Sequence, residues 1–119
     1  MKQRIEEAKK ILLDNRKNGY TLPTNNKLYP AQWNWDSAFI ALGYSYFNLD
    51  YALEEMETLL AGQWDDGMVP HILFHDNDTT YFPNHTTWKC GKNIPSSGIT
   101  QPPVIASILK IILGLSLIH

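Results

Sequence analysis

The sequence has a single cysteine, Cys90, in 119 residues. One cysteine excludes an internal disulfide framework and suits a reducing compartment, so a cytoplasmic location is expected. An excess of basic charge is also missing: Lys and Arg number 10 against 12 Asp and Glu, for a formal charge of -2 and a pI near 6.0. Neither nucleic acid nor an anionic membrane surface is an expected partner of such a chain. Long apolar runs are absent. The most hydrophobic stretch, from Val104 to Ile118, carries Lys110 and falls short of the ~20 residues a bilayer span needs, so it reads as a buried helix. The opening, Met1-Lys2-Gln3-Arg4-Ile5-Glu6-Glu7, starts basic but has no apolar stretch behind it, which argues against a secretory signal. The sequon matches Asn77-Asp78-Thr79 and Asn84-His85-Thr86 are accordingly read as chance.

What is present is material for one globular domain, 13.6 kDa with 44% hydrophobic residues. Residues 2–17 carry Ile5, Ala8, Ile11, Leu12 and Leu13 in a helical stripe, with Glu6 and Lys10 as an i,i+4 pair and Asn18-Gly19 as a stop. A loop bearing Pro23, Asn25, Asn26 and Pro30 follows. The next helix, from about Ser37 to Phe47, is apolar nearly all round and should be buried on most sides. After the turn Asn48-Leu49-Asp50, a third helix from Tyr51 to about Ala61 sets Leu53, Met56, Leu59 and Leu60 on one face and Glu54, Glu55 and Glu57 on the other. An inner apolar helix followed by an outer amphipathic one predicts an αα-hairpin. From Gly62 to Gly98 periodicity is weak, and a connection of that length inside a compact chain is usually functional. Thr100 is then a candidate N-cap, with Pro102 and Pro103 in a first turn, for a second nearly all-apolar helix from Val104 to Leu115.

Tyr29-Pro30-Ala31-Gln32-Trp33-Asn34-Trp35-Asp36 is the most informative stretch. Two indoles at i and i+2 with a carboxylate behind them offer a flat apolar wall and a charged acceptor, which suits the C–H face and hydroxyl rim of a pyranose. The same residues also fit a plainer arrangement, with Trp33 and Trp35 in the core and Asp36 as the N-cap of the helix that follows.

Four motifs in order, Tyr29 to Phe39, Gly62-Gln63 with Asp66-Gly67-Met68-Val69-Pro70-His71, Tyr81-Phe82-Pro83, and Ile99-Thr100-Gln101-Pro102-Pro103, resemble the mannosylglycerate and glucosylglycerate hydrolases of glycoside hydrolase family 63. Eukaryotic processing glucosidase I is a remoter relative. The resemblance covers about residues 20–110. It implies an all-α fold, a partial (α/α)6 toroid of six-hairpin glycosidase type represented by its first helical hairpins only, with residues 1–119 as the N-terminal part of that domain. It further implies that Tyr29, Trp33, Trp35 and Asp36 line a sugar subsite, while His71, Tyr81 and Gln101 add hydrogen bonds from the rim. Members of the family invert at the anomeric carbon with two carboxyl groups ~6.5 to 9.5 Å apart, and both lie beyond the point where this chain stops. Twelve helices of ~11 residues do not fit into 119. The expectation is therefore a fragment, arising by truncation or frameshift, that binds a small glycoside and is inactive alone, with no cofactor. Inner helices left uncovered would promote self-association.

Other constellations are weaker. His71, His75, Asp76, Asp78, His85 and Cys90 lie close in sequence, but Pro70 and the turn residues make this segment a loop, so no metal site is expected. Asp65-Asp66 reads as a turn, Cys90 as an inert thiol, and Trp64 and Trp88 as structural or funnel-lining residues. The competing functional class is a non-catalytic helical sugar-binding or interaction module, supported by the lack of a convincing acid and base pair.

Overall fold

The protein, seen here as a computed structural model, is described for residues 1–24 and 28–118, with no account of the side chains of residues 115–118. Chain order is α1 (Lys2–Asp14), β1 (Gln32–Trp33), α2 (Asn34–Ser45), α3 (Leu49–Leu60), β2 (Ile72–Leu73), α4 (His85–Trp88) and α5 (Ile105–Ile118). The expected all-α architecture is present, and α2 is its hub: α1, α3 and α5 all pack on it. Small side chains explain why two helices can approach α2 so closely. Ala38 and Ala41 are fully buried, and Ala52 and Met56 of α3 meet them together with Ile108 and Ile112 of α5. The α2–α3 hairpin turns at Asn48, whose side chain accepts from the Tyr51 N–H at 3.1 Å and caps α3.

Several local readings need correction. The first helix ends at Asp14, not Lys17, and buries none of its residues; a 2.9 Å bond from the buried Tyr44 hydroxyl to the Leu12 carbonyl ties it to α2. Lys10 pairs with Asp14, and Glu6 pairs with Lys9 at 3.0 Å, in place of the expected Glu6–Lys10 pair. The second helix begins at Asn34, so Asp36 sits in its first turn and is not an N-cap. Thr100 caps nothing: its hydroxyl donates to the Val69 carbonyl at 2.7 Å, and α5 starts beyond both prolines. Glu55 does not share the outer face of α3 with Glu54 and Glu57. It is 2% exposed, because the buried positions are Ala52, Glu55, Met56 and Leu59, an i, i+3, i+4, i+7 series.

The segment between α3 and α5 is anchored from both sides. Residues Ile72 and Leu73 are buried, so their backbone polar groups need protein partners. One edge is the antiparallel pairing of β2 with β1, Gln32 opposite Leu73 and Trp33 opposite Ile72. The other edge is the returning chain: Ser97 donates to the Ile72 carbonyl at 3.1 Å, Phe74 to Pro95 at 2.9 Å and His71 to Ile99 at 2.8 Å. A small second core of Ala31, Trp33, Ile72 and Phe74 forms there, with Tyr81 and Trp88 against it. Among the described residues no helix is long and apolar enough to cross a membrane.

Gly62 shows how tightly β2 seats against the end of α3. A Cβ at that position would lie 2.3 Å from Leu73 Cδ2, and Leu73 is fully buried. Gly62→Ala is expected to cost about 1–3 kcal/mol in urea unfolding; a variant as stable as the parent would show that Leu73 has room to move.

Candidate functional site

The β1–α2 junction builds the site. Because α2 starts at Asn34, its first N–H groups have no partner within the helix and must find acceptors elsewhere. Asn34 N–H donates to the His71 carbonyl at 2.9 Å, and Trp35 N–H donates to Gln101 Oε1 at 3.0 Å. The Asp36 carboxyl group lies in the same first turn, next to its own backbone N–H. Burial pushes the Asp36 carboxyl above its ordinary value, and this backbone contact partly offsets it. The Asn34 side chain adds bonds to the Val69 and Pro70 carbonyls at 3.1 and 3.2 Å. Residues 69–71 and 101 are thus held at the start of α2.

Beside this junction lies a cleft of about 320 Å³ lined by Pro23, Thr24, Tyr29, Trp33, Asp36 and Gln101. Trp33 is 6% exposed, fixed by the edges of Tyr29 and Tyr81 at 5.2 and 5.1 Å between ring centres. The cleft therefore joins an immobilised indole, a phenol, a carboxylate and an amide. That mixture serves a ligand with one apolar face and several hydroxyls.

Four of the seven sequence-derived site residues, Tyr29, Trp33, Asp36 and Gln101, meet at the cleft. Tyr81 reaches it through its ring contacts with Tyr29 and Trp33. Trp35 does not line it: the helix already turns about 100° per residue here, so this indole swings away from Trp33. It is 41% exposed and lies against Phe39. His71 also points elsewhere, with Nδ1 2.5 Å from Ser97 Oγ and its ring edge on Trp88, and burial holds its pKa below the usual value.

Behind the cleft is a polar cluster to which sequence reasoning assigns no role. Glu55 Oε1 accepts from Ser37 Oγ at 2.7 Å and from the Thr21 N–H at 3.2 Å. Gln32 Nε2 donates to Ser37 Oγ at 3.0 Å, and Gln32 Oε1 lies 2.7 Å from His75 Nε2. Desolvation raises the Glu55 pKa to about 7 against the lowering effect of those donors, and burial lowers that of His75. Among the described residues no three His, Cys, Asp or Glu are grouped to hold a metal ion. Asp65 pairs with Lys92 and Asp66 accepts from the Met68 N–H within a turn, while Trp64 Nε1 donates to Ser96 Oγ at 3.2 Å. The Cys90 thiol donates to the Ser96 carbonyl at 3.3 Å.

A family model described as a mannosylglycerate hydrolase MGH1-like glycoside hydrolase domain matches residues 29–115. The chain belongs to this glycoside hydrolase family. Mannosylglycerate hydrolase MGH2 of Selaginella moellendorffii is 50% identical over 105 residues, which cover 87% of this chain and 21% of that protein. Glucosylglycerate hydrolase of Mycolicibacterium hassiacum is 42% identical, over 72% of this chain and 21% of its own length. The GH63 mannosylglycerate hydrolase of Thermus thermophilus, solved with Tris, superposes with a TM-score of 0.85 at 40% identity, over 92% of this chain and 26% of that one. The same enzyme solved with Tris and D-glycerate gives a TM-score of 0.83. This member of the mannosylglycerate hydrolase MGH1-like family thus spans about a quarter or less of the length of the relatives it matches, and its fold is that of the N-terminal part of the GH63 structure.

Gln101 has a measurable structural duty apart from any ligand. Removing its acceptor strands the Trp35 N–H, so Gln101→Ala is expected to lose about 0.5–2 kcal/mol of stability, as other helix caps do, while Gln101→Glu retains most of it. Thermal unfolding of the three proteins decides the matter, and equal midpoints would rule the cap out.

Proposed function

We propose that this chain is the sugar-recognition part of an inverting glycoside hydrolase acting on a small α-mannoside or α-glucoside of the mannosylglycerate or glucosylglycerate type. The observation that carries the reading is the cleft in which Tyr29, Trp33, Asp36 and Gln101 converge. Trp33 supplies the stacking wall, and Asp36, at the N-terminal turn of α2, accepts from sugar hydroxyls. Tyr29, Tyr81 and Gln101 fix the ring's orientation, while Trp35 and His71, which face away from the cleft, take no part in it. Relatives named for hydrolysis of mannosylglycerate and glucosylglycerate, one of them solved with D-glycerate, support this substrate class.

Inversion needs an acid and a base on opposite faces of the scissile bond. Among the described residues lining the cleft, Asp36 alone carries a carboxyl group. The chain by itself is accordingly inactive. The same observation favours, as a second reading, a non-catalytic sugar-binding module. The lone cysteine supports a cytoplasmic setting. Self-association is the further part of the proposal: Trp35, Phe39, Ile111 and Leu113 are 41%, 51%, 47% and 54% exposed, on the two nearly uncharged helices.

Calorimetric titration with mannosylglycerate, glucosylglycerate or D-glycerate is expected to give heat, with binding weakened about tenfold or more in Asp36→Ala and unchanged in Trp35→Ala. Absence of heat from all three would overturn the sugar reading, and release of free sugar by the chain on its own would overturn its inactivity. Light scattering should show mass rising with concentration above that of a 13.6 kDa monomer; a constant monomeric mass would argue against association through α2 and α5.

A further inference from the structure

We propose that Glu55 is a positioning residue for the cleft, acting through Ser37 and Gln32, the sequence neighbours of Asp36 and Trp33. The contacts form one directed chain. Gln32 gives its oxygen to His75 and turns its nitrogen toward Ser37, so His75 donates from Nε2, Gln32 donates to Ser37 Oγ, and Ser37 donates to Glu55 Oε1. Every bond runs toward the Glu55 carboxylate, which can only accept when ionised. Gln32 also donates to the Glu55 backbone carbonyl at 3.2 Å, so the amide is held from two points on α3. Gln32 and Ser37 are fully buried, and none of the ion pairs among the described residues includes Glu55. The carboxyl group is therefore supported by hydrogen bonds and by no cation.

Other titratable groups face this cluster. The Tyr20 ring lies 4.2 Å from that of His75, with Asp76 next along the chain; Tyr44 reaches Thr21 Oγ1 at 3.0 Å; and Arg16 pairs with Glu54 rather than with Glu55. Burial lowers the His75 pKa, which favours the neutral ring, and the Gln32 oxygen fixes a proton on its Nε2, while burial pushes the Glu55 carboxyl up to about 7. Protonated Glu55 can donate to Ser37 in place of accepting, which reverses the last bond of the chain. Ionised Glu55 fixes the polarity of all of it. The turn that carries Trp33 and Asp36 is thus clamped on its buried side by a group that changes charge near neutrality.

The test uses the whole chain, labelled with 13C and 15N and titrated from about pH 5 to about pH 9 by NMR. The Gln32 side-chain amide, the Trp33 indole N–H and the Asp36 backbone amide are expected to follow the midpoint of the Glu55 carboxyl carbon, and to lose that inflection in Glu55→Gln while the spectrum stays dispersed. Signals that stay flat through the Glu55 titration, or that keep the inflection in Glu55→Gln, overturn the proposal. Should Glu55→Gln fail to fold, Ser37→Ala replaces it: Glu55 still titrates and the Asp36 amide no longer follows, whereas an Asp36 amide that still follows overturns it. A last arm rests on the sugar reading of the cleft. D-glycerate should bind about fivefold more tightly above the Glu55 midpoint than below it, and equally at both in Glu55→Gln. Binding that ignores the midpoint in the parent chain counts against Glu55; no binding of D-glycerate, mannosylglycerate or glucosylglycerate at any pH sinks the sugar reading and leaves the spectral coupling intact.

Discussion

The constraint on which the structure turns is the unsatisfied backbone at the start of α2. A helix start leaves N–H groups with no partner inside the helix; that of the buried Asn34 must be met by an acceptor brought from elsewhere, and that of Trp35, at the surface, takes one as well. Here the acceptors are the carbonyl of His71 and the side chain of Gln101. Meeting them forces two distant loops onto one helix end. The cleft is the space left where Gln101, the residues Pro23, Thr24 and Tyr29, and the start of the helix come together. Its aromatic wall is rigid for the same reason, since Trp33 is the residue in extended conformation just before the first helical one.

A second set of polar contacts works from beneath. Alanines on α2 and α3 allow the hairpin to close tightly, and a tight hairpin leaves Glu55 almost wholly buried. A carboxyl group in such a place must be neutral or fully hydrogen-bonded. Thr21, Ser37 and Gln32 supply the donors, and in doing so they fasten the chain before β1, β1 itself and the first turn of α2 to α3. Apolar packing thus sets the outline of the hairpin, while the buried polar chain sets where its cleft-facing edge sits.

Much of the helical plan is legible in the sequence because it is local. The apolar run from Ala38 to Phe47 and the amphipathic run after Asn48 identify an inner and an outer helix, and the Asn48 cap lies within a few residues of what it caps. What cannot be read locally is where α2 begins. Ser37 looks like the first helical residue because Asp36 beside it is a ready N-cap; the acceptors that serve a helix starting at Asn34 come from residues 71 and 101. That displacement rotates Trp35 out of the plane of Trp33, which strand-like spacing would have kept together. Glu55 is different: the series Ala52, Glu55, Met56, Leu59 is there to be read, but its charge places it on the outer face if charge is given more weight than periodicity. The pairing of residues 71–74 with 32–33 and 95–99 has no local signature at all. The meeting of Tyr29, Trp33, Asp36 and Gln101 is approached through resemblance to a family, since neither propensity nor pattern joins residue 29 to residue 101.

The bond from Trp35 to Gln101 closes a span of 66 residues. The α2–α3 hairpin, in contrast, forms through neighbours in sequence. Closing a long loop costs chain entropy before any contact repays it, and high contact order slows folding. The hairpin is therefore expected to form early and the cleft late. Local unfolding starts where hydrogen bonds are exposed and buried apolar contacts few, and the Trp35–Gln101 bond is an exposed one. A population of chains could keep its helical signal intact and still have lost the place where a ligand would sit.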